Sequence, residues 1–146
     1  MEEQQRFQTF TVLIASISRC IRRIKSEEMA EFQLKSPHVS CLYYLYTSES
    51  LTATDLCERC EEDKATISRS IDHLEKNGYI ACQSRKAKRY KAPLVLTEKG
   101  KELGKEIADK VNDVLFEMDD DLTENERENL YRCLSIISDS LDSLAT

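Results

Sequence analysis

Apolar residues recur at Phe7, Phe10, Ile14, Ile17, Ile21 and Ile24, at alternating spacings of three and four. That period belongs to one face of an α-helix. It predicts a helix from about residue 4 into the 30s, roughly 45 Å long at 1.5 Å per residue. Its apolar seam is narrow, and Arg19, Arg22, Arg23 and Lys25 fall on the opposite face. A domain of this size rarely covers such a helix alone, so a partner chain is expected. Ser36-Pro37 reads as an N-cap with proline at the first helical position. Val39, Leu42, Tyr43, Leu45 and Tyr46 then describe a short helix that is apolar on most sides. Tyr43, Tyr44 and Tyr46 read as core aromatics, with the lining of a ligand pocket as the alternative.

From Thr52 the pattern shortens. Thr52-Ala53-Thr54-Asp55 has the form of a capping box, followed by Leu56, Cys57 and Cys60 as the buried positions. Glu61-Glu62-Asp63 reads as a turn, with Asp63 capping a second helix. Ile67, Ile71 and Leu74 form the buried stripe of that helix. Lys64, Ala65, Thr66, Ser68, Arg69 and Asp72 fall opposite, and Asn77-Gly78 supplies a left-handed C-cap. Strands are expected over Tyr79–Gln83 and Tyr90–Leu96, with 85–89 as the loop. Pro93 cannot donate to a ladder, so the second strand must have an open edge there. Thr97-Glu98 opens a long helix with Leu103, Ile107, Val111, Val114 or Leu115, and Met118 as its seam. Asp119-Asp120-Asp121 opposes the helix dipole and is expected in the connection. Thr123-Glu124-Asn125-Glu126 is a second capping box, leading into a last helix through Leu130, Leu134, Ile137, Leu141 and Leu144.

Charge changes the picture more than composition does. The 146 residues carry a net charge of −6, and their three glycines and two prolines suit a helix-rich fold. Residues 1–63 hold 7 basic and 11 acidic side chains, and residues 102–146 hold 4 and 13. Residues 64–101 hold 10 basic and 3 acidic side chains, a net of +7. A basic island in an acidic chain needs a polyanion, and nucleic acid is the first candidate. No apolar run approaches the roughly 20 residues that span a bilayer. The acidic, polar start MEEQQRF does not resemble a secretory signal. No membrane association is expected, and a cytoplasmic location follows, in which the six cysteines stay reduced.

Two short helices followed by a basic hairpin make a winged helix-turn-helix. An α-helix fits the major groove, and its N-terminal residues reach base edges. Lys64, Ala65, Thr66, Ser68 and Arg69 occupy those positions, while Arg85, Lys86, Lys88 and Arg89 would follow phosphates or enter the minor groove. Asp72 could orient Arg69. The bland reading is a solvated charged hairpin on an ordinary helical protein. A functional competitor is a helical protein–protein adaptor that uses the acidic terminal helices and binds no specific DNA.

The same residues resemble a known family. Leu51-Thr52 with Leu56, Asp63 to Arg69, Leu74-Glu75-Lys76-Asn77-Gly78 and Leu96-Thr97-Glu98-Lys99-Gly100 are similar to MarR-type transcriptional regulators, most strongly over residues 39–104. The resemblance implies a mainly α fold with a small two- or three-stranded β wing. It places the winged helix-turn-helix at residues 36–101, between long dimerisation helices at 1–35 and 102–146. It further implies a homodimer on a pseudo-palindromic, double-stranded operator, acting as repressor or activator and released by a small-molecule effector or by oxidation. One departure stands out. The family's wing-tip Asp-x-Arg falls at Lys88-Arg89-Tyr90, so the bracing acid is missing and Tyr90 holds the arginine position. Arg89 or Lys88 becomes the candidate for the minor-groove contact.

Cys57-x-x-Cys60 puts two sulfurs on one helical face, a spacing that suits zinc or a redox pair. No second cysteine pair accompanies it, and small apolar groups are needed at both positions, so a core role competes. Cys20, beside Arg19, Arg22 and Arg23, is a further redox candidate. Cys41, Cys82 and Cys133 carry no stronger signal. His38 and His73 are isolated, and His73 belongs on the supporting side of the recognition helix. Neither a metal site nor a cofactor is expected. No nucleophile–base pairing, glycine-rich phosphate loop or paired-carboxylate motif points to an enzyme.

Overall fold

A computed structural model describes residues 2–83 and 91–145. Arg85, Lys86, Lys88, Arg89 and Tyr90 therefore lie outside the described residues, as does the whole of the expected hairpin loop at 85–89. The chain divides into two compact units, residues 1–109 and 110–146.

In the first unit, α1 (Glu3–Gln8) continues through a π-helical stretch at Thr9–Leu13 into α2 (Ile14–Glu28). The π stretch sits where the Thr9 and Thr11 hydroxyls donate to the carbonyls of Gln5 and Phe7, at 2.9 and 2.6 Å. Hydroxyls that bond back four residues compete with the regular ladder, and single π turns are a common outcome of a disturbed one. The helical run from residue 3 to 28 is about 39 Å long, shorter than the periodicity suggests. It stops because Met29 leaves helical geometry to bury its side chain (1% exposed). One 3₁₀ turn follows at Ala30–Phe32, and Gln33 is left-handed at φ 59°.

Helix α3 (Ser36–Thr47) starts one residue earlier than expected, with Lys35 rather than Ser36 at the cap. The reason is side-chain chemistry. The Lys35 N–H donates to His38 Nδ1 at 3.0 Å, and the Ser36 N–H donates to Ser26 Oγ at 3.1 Å. Val39, Cys41, Leu42 and Leu45 of α3 are buried. The three tyrosines are not core residues: Tyr43 and Tyr44 are half-buried and Tyr46 is exposed. Tyr43 and Tyr44 meet edge to face, 5.6 Å between centroids.

Helices α4 (Ala53–Cys60) and α5 (Lys64–Lys76) pack on α3 and on each other. Leu56, Ile67 and Leu74 are completely enclosed, and each such side chain stabilises the unit by about 1.5–3 kcal/mol. Strands β1 (Ile80–Cys82) and β2 (Leu94–Leu96) pair antiparallel, Ile80 opposite Leu96 and Cys82 opposite Leu94. Leu51 adds a single bridge to Leu94, which supplies the rudiment of a third strand. Both strands are shorter than the sequence suggests within the described residues.

Helix α6 (Glu98–Asp119) opens on Thr97 and buries Leu103 and Ile107. In the second unit, α6 keeps Asp119 as its last residue, so only Asp120 and Asp121 lie in the connection. The unfavourable dipole is offset locally. Tyr131 Oη of α7 (Glu124–Ala145) donates to Asp119 Oδ2 at 2.7 Å, and Arg127 Nε forms an ion pair with the same oxygen at 3.3 Å. The Thr123 capping box forms in both directions, at 2.8 and 3.2 Å. No helix among the described residues is long and apolar enough to cross a membrane.

Candidate nucleic-acid interface

The helix-turn-helix is assembled from contacts between near neighbours. Thr52 Oγ1 accepts the Asp55 N–H at 3.1 Å, and Asp55 Oδ2 accepts the Thr52 N–H at 2.9 Å. Those hydrogen bonds hold the Asp55 carboxyl below its usual range. Helix α4 ends at Glu61, which turns left-handed at φ 52°. Asp63 then caps α5, its Oδ1 accepting the Thr66 N–H at 2.6 Å, and that bond depresses the Asp63 carboxyl as well. An aspartate at this end also suits the helix dipole.

Buried Ile67, Ser70, Ile71 and Leu74 fix which side of α5 faces outward. Lys64, Ala65, Ser68, Arg69 and Asp72 are exposed on the other side, and Thr66 is half-exposed. Arg69 Nη2 donates to Thr66 Oγ1 at 3.3 Å, one turn back on the same face. The five candidates on α5 are thus gathered along its first two turns, on a helix held rigidly from beneath.

The other end of α5 is tied to the wing. Gly78 is left-handed at φ 77°, with its N–H bonded to Glu75 O (3.0 Å) and the Tyr79 N–H bonded to Leu74 O (2.9 Å). This paired closure is a Schellman motif. Thr97 Oγ1 then donates at 2.6 Å to Gly78 O and lies 3.1 Å from Tyr79 O. Lys99 Nζ reaches Asn77 O at 2.8 Å and lies 4.5 Å above the Tyr79 ring. Thr97 and Lys99 therefore staple the start of α6 to the end of α5, a role the sequence showed only as an N-cap. Beneath α5, His73 stacks on His38 of α3 with 4.3 Å between centroids. Burial first, then His73 and Lys35, pulls His38 down to about 4.

Between α4 and α5 lies an open groove of about 420 Å³, lined by Ala53, Thr54, Cys57, Lys64, Ile67, Ser68 and Ile71. It shares Lys64 and Ser68 with the outward face of α5. The thiols divide among different surroundings. Cys20 is exposed on α2, where Arg23 pairs with Glu27 at 3.0 Å and Arg22 donates to Ser18 at 3.4 Å. Cys57 and Cys60 are only half-buried, so neither is the fully enclosed core residue that helix packing suggested. Burial raises the Cys57 thiol. Among the described residues, no group of three or more His, Cys, Asp or Glu side chains is arranged to hold a metal ion.

Residues 32–89 match the model of the MarR family. No curated protein matches the chain. Similar solved structures include a MarR family transcriptional regulator from Listeria monocytogenes complexed with a 26mer DNA. It is 26% identical with a TM-score of 0.79, over 88% of this chain and 85% of that one. MepR from Staphylococcus aureus in a DNA complex is 21% identical, with a TM-score of 0.80 over 92% of this chain and 97% of that one. Staphylococcus aureus MarR, in complex with salicylate and kanamycin, is 16% identical, with a TM-score of 0.81 over 97% and 95%. The chain has the MarR winged-helix fold, and the resemblance read from the sequence is borne out.

Proposed function

We propose that this chain is a homodimeric, sequence-specific DNA-binding regulator of transcription that acts as a repressor by occupying a pseudo-palindromic operator. One observation carries the reading. Helix α5 is rigidly seated on Ile67, Ile71 and Leu74 and presents Lys64, Ala65, Thr66, Ser68 and Arg69 outward, at the start of a chain segment with a net charge of +7. A helix so presented enters a major groove, with Arg69 directed at a base edge or phosphate. Arg85, Lys86, Lys88 and Arg89 follow the backbone or reach the minor groove beside it. The DNA complexes of the Listeria and MepR structures support the assignment.

Residues 36–101 form the DNA-reading lobe in this proposal, and residues 1–35 and 102–146 dimerise. The seam from Phe7 to Ile24 remains 36–68% exposed, which favours burial against a second copy. Release comes from a small-molecule effector or from oxidation, and the MarR complex with salicylate supports the first. The groove between α4 and α5 is the site we assign to such an effector, because an occupant there would share Lys64 and Ser68 with DNA.

Selection of binding sites from random DNA tests the proposal. A two-fold symmetric consensus whose half-sites lie about one helical turn apart is expected. Arg69→Ala should weaken binding to it by about 1–3 kcal/mol. Selection without any consensus would favour the adaptor reading instead.

A further inference from the structure

At the start of α5, a chain of hydrogen bonds runs from the helix cap to an exposed guanidinium. Asp63 Oδ1 accepts the Thr66 N–H at 2.6 Å. The Thr66 carbonyl accepts the Ser70 hydroxyl at 2.8 Å, and Ser70 is itself buried. Thr66 Oγ1 accepts from Arg69 Nη2 at 3.3 Å. Thr66 is thus fixed on both sides of its backbone and turns its hydroxyl towards an arginine one turn ahead. We propose that Asp63, Thr66 and Arg69 form a guanine-reading latch: Arg69 contacts the base, Thr66 aims it, and Asp63 keeps phosphate from that end of α5. This role rests on the DNA-binding reading above, and adds to it the base that is read and the residues that enforce the choice.

An open helix N-terminus is an anion site, because its unpaired N–H groups and the dipole both favour negative charge. In α5 the Asp63 carboxylate already takes the Thr66 N–H. Asp63 is exposed, and Glu61 and Glu62 lead into it. The Thr66 hydrogen bonds hold the Asp63 carboxyl below its usual range, and the Arg69 charge adds to the effect. Asp63 is therefore ionised at neutral pH. A phosphate brought to this end would meet carboxylates where it needs donors. Base edges in the major groove carry no net charge and escape that repulsion.

Among those edges guanine offers two acceptors, O6 and N7, whereas adenine and thymine each offer one beside a donor or a methyl group. A guanidinium is a planar fork of parallel N–H donors with no acceptor, so guanine is its match. An unrestrained arginine on this face would also reach the phosphates on either side. The Thr66 hydroxyl spends one Nη2 donor and holds the fork over the first turns of α5, the part of a recognition helix that faces base edges. Rotamer freedom is then lost before DNA arrives, which is how pre-organisation gains affinity. Lys64, exposed at the start of the same helix, has no fork and suits a flanking phosphate as a point charge.

The experiment uses the full-length protein and an operator obtained by selection from random DNA. Each half-site guanine is replaced in turn by 7-deazaguanine, which pairs normally but lacks the N7 acceptor. At one position the wild type should lose at least about fivefold in affinity, and Arg69→Ala should lose nothing further. Thr66→Val keeps the side-chain shape and the backbone N–H that Asp63 caps. It should cut that penalty to about twofold with the salt slope unchanged, and Thr66→Ser should restore it. Asp63→Asn keeps a capping side chain and should bind random-sequence DNA at least about threefold more tightly. A wild type indifferent to 7-deazaguanine at every half-site position overturns the guanine contact. Thr66→Val with the full wild-type penalty overturns the aiming role, and Asp63→Asn with unchanged affinity for random DNA overturns the exclusion of phosphate. NMR relaxation of the Arg69 guanidinium reads the latch without DNA: restraint is expected in the wild type and Thr66→Ser, and mobility in Thr66→Val. Equal mobility in all of them overturns the latch. A wild type that binds no DNA overturns the DNA reading itself, whereas a selected consensus with no N7 effect overturns the guanine latch alone.

Discussion

Replacing Gly100 with alanine tests the junction that positions α5 and the wing. A Cβ at Gly100 would overlap the Tyr79 carbonyl oxygen, and would lie 2.9 Å from its carbon and 3.2 Å from Leu96 Cδ2. The main obstacle is backbone, which cannot swing aside as a side-chain tip can. Forcing a methyl into such a site costs about 1–3 kcal/mol. Tyr79 must also shift, which sacrifices the Thr97 N–H bond to Tyr79 O (3.0 Å) and the 3.1 Å contact of Thr97 Oγ1 with the same oxygen, at about 1 kcal/mol each. Alanine's better helix propensity returns about 1 kcal/mol. The net is a loss of about 2–4 kcal/mol, a fall in Tm of roughly 10 °C for a chain of this size. Thermal and urea unfolding followed by circular dichroism reads it. Gly78→Ala is the internal comparison: it meets nothing within 4 Å but must adopt φ 77°, a strain of about 1–2 kcal/mol. A Gly100→Ala protein as stable as the wild type, or less perturbed than Gly78→Ala, would refute the close approach of α6 to Tyr79.

Other outcomes follow from the same geometry. Lys88→Ala/Arg89→Ala should weaken binding to all DNA sequences and reduce the slope of log K against log salt by about 2; an unchanged slope would remove the wing from the interface. Ile17→Glu/Ile21→Glu places charges on the exposed α2 seam and should leave the protein monomeric in sedimentation where the wild type, on the proposed reading, is a dimer, with the helical signal retained. His38 prefers its neutral form in the fold, with its pKa lowered from 6.5 to about 4. The unfolded chain therefore binds a proton that the folded one refuses, and stability is full above pH 6.5 and declines as pH falls towards 4. Urea midpoints across that window should show the decline in the wild type and a flatter limb in His38→Gln.

Much of the candidate interface is legible in the sequence. Thr52 with Asp55, Asp63 with Thr66, and Asn77-Gly78 lie within four residues of their partners, so composition and spacing carried the caps, the turn and the outward face of α5. Helix ends were less legible where a distant side chain decided them. Met29 ends α2 by entering the core, and His38 with Ser26 moves the start of α3 to Lys35's cap. The tyrosines of α3 show a related limit. A helix apolar on most sides looks like core, but periodicity ranks faces without saying how many are covered.

The sequence by itself determined the order and kind of elements, the face of α5 that looks outward, and the concentration of basic charge in residues 64–101. These depend on local hydrogen bonds, backbone preference and the 3.6-residue repeat, all of which are written within a few positions. Only the tertiary structure decided that His73 stacks on His38, and that Lys99 and Thr97 hold the wing base to α5. Each of those contacts joins different helices or a strand end to a helix. Whether two such side chains meet depends on how whole apolar faces interlock, and no spacing along the chain records that.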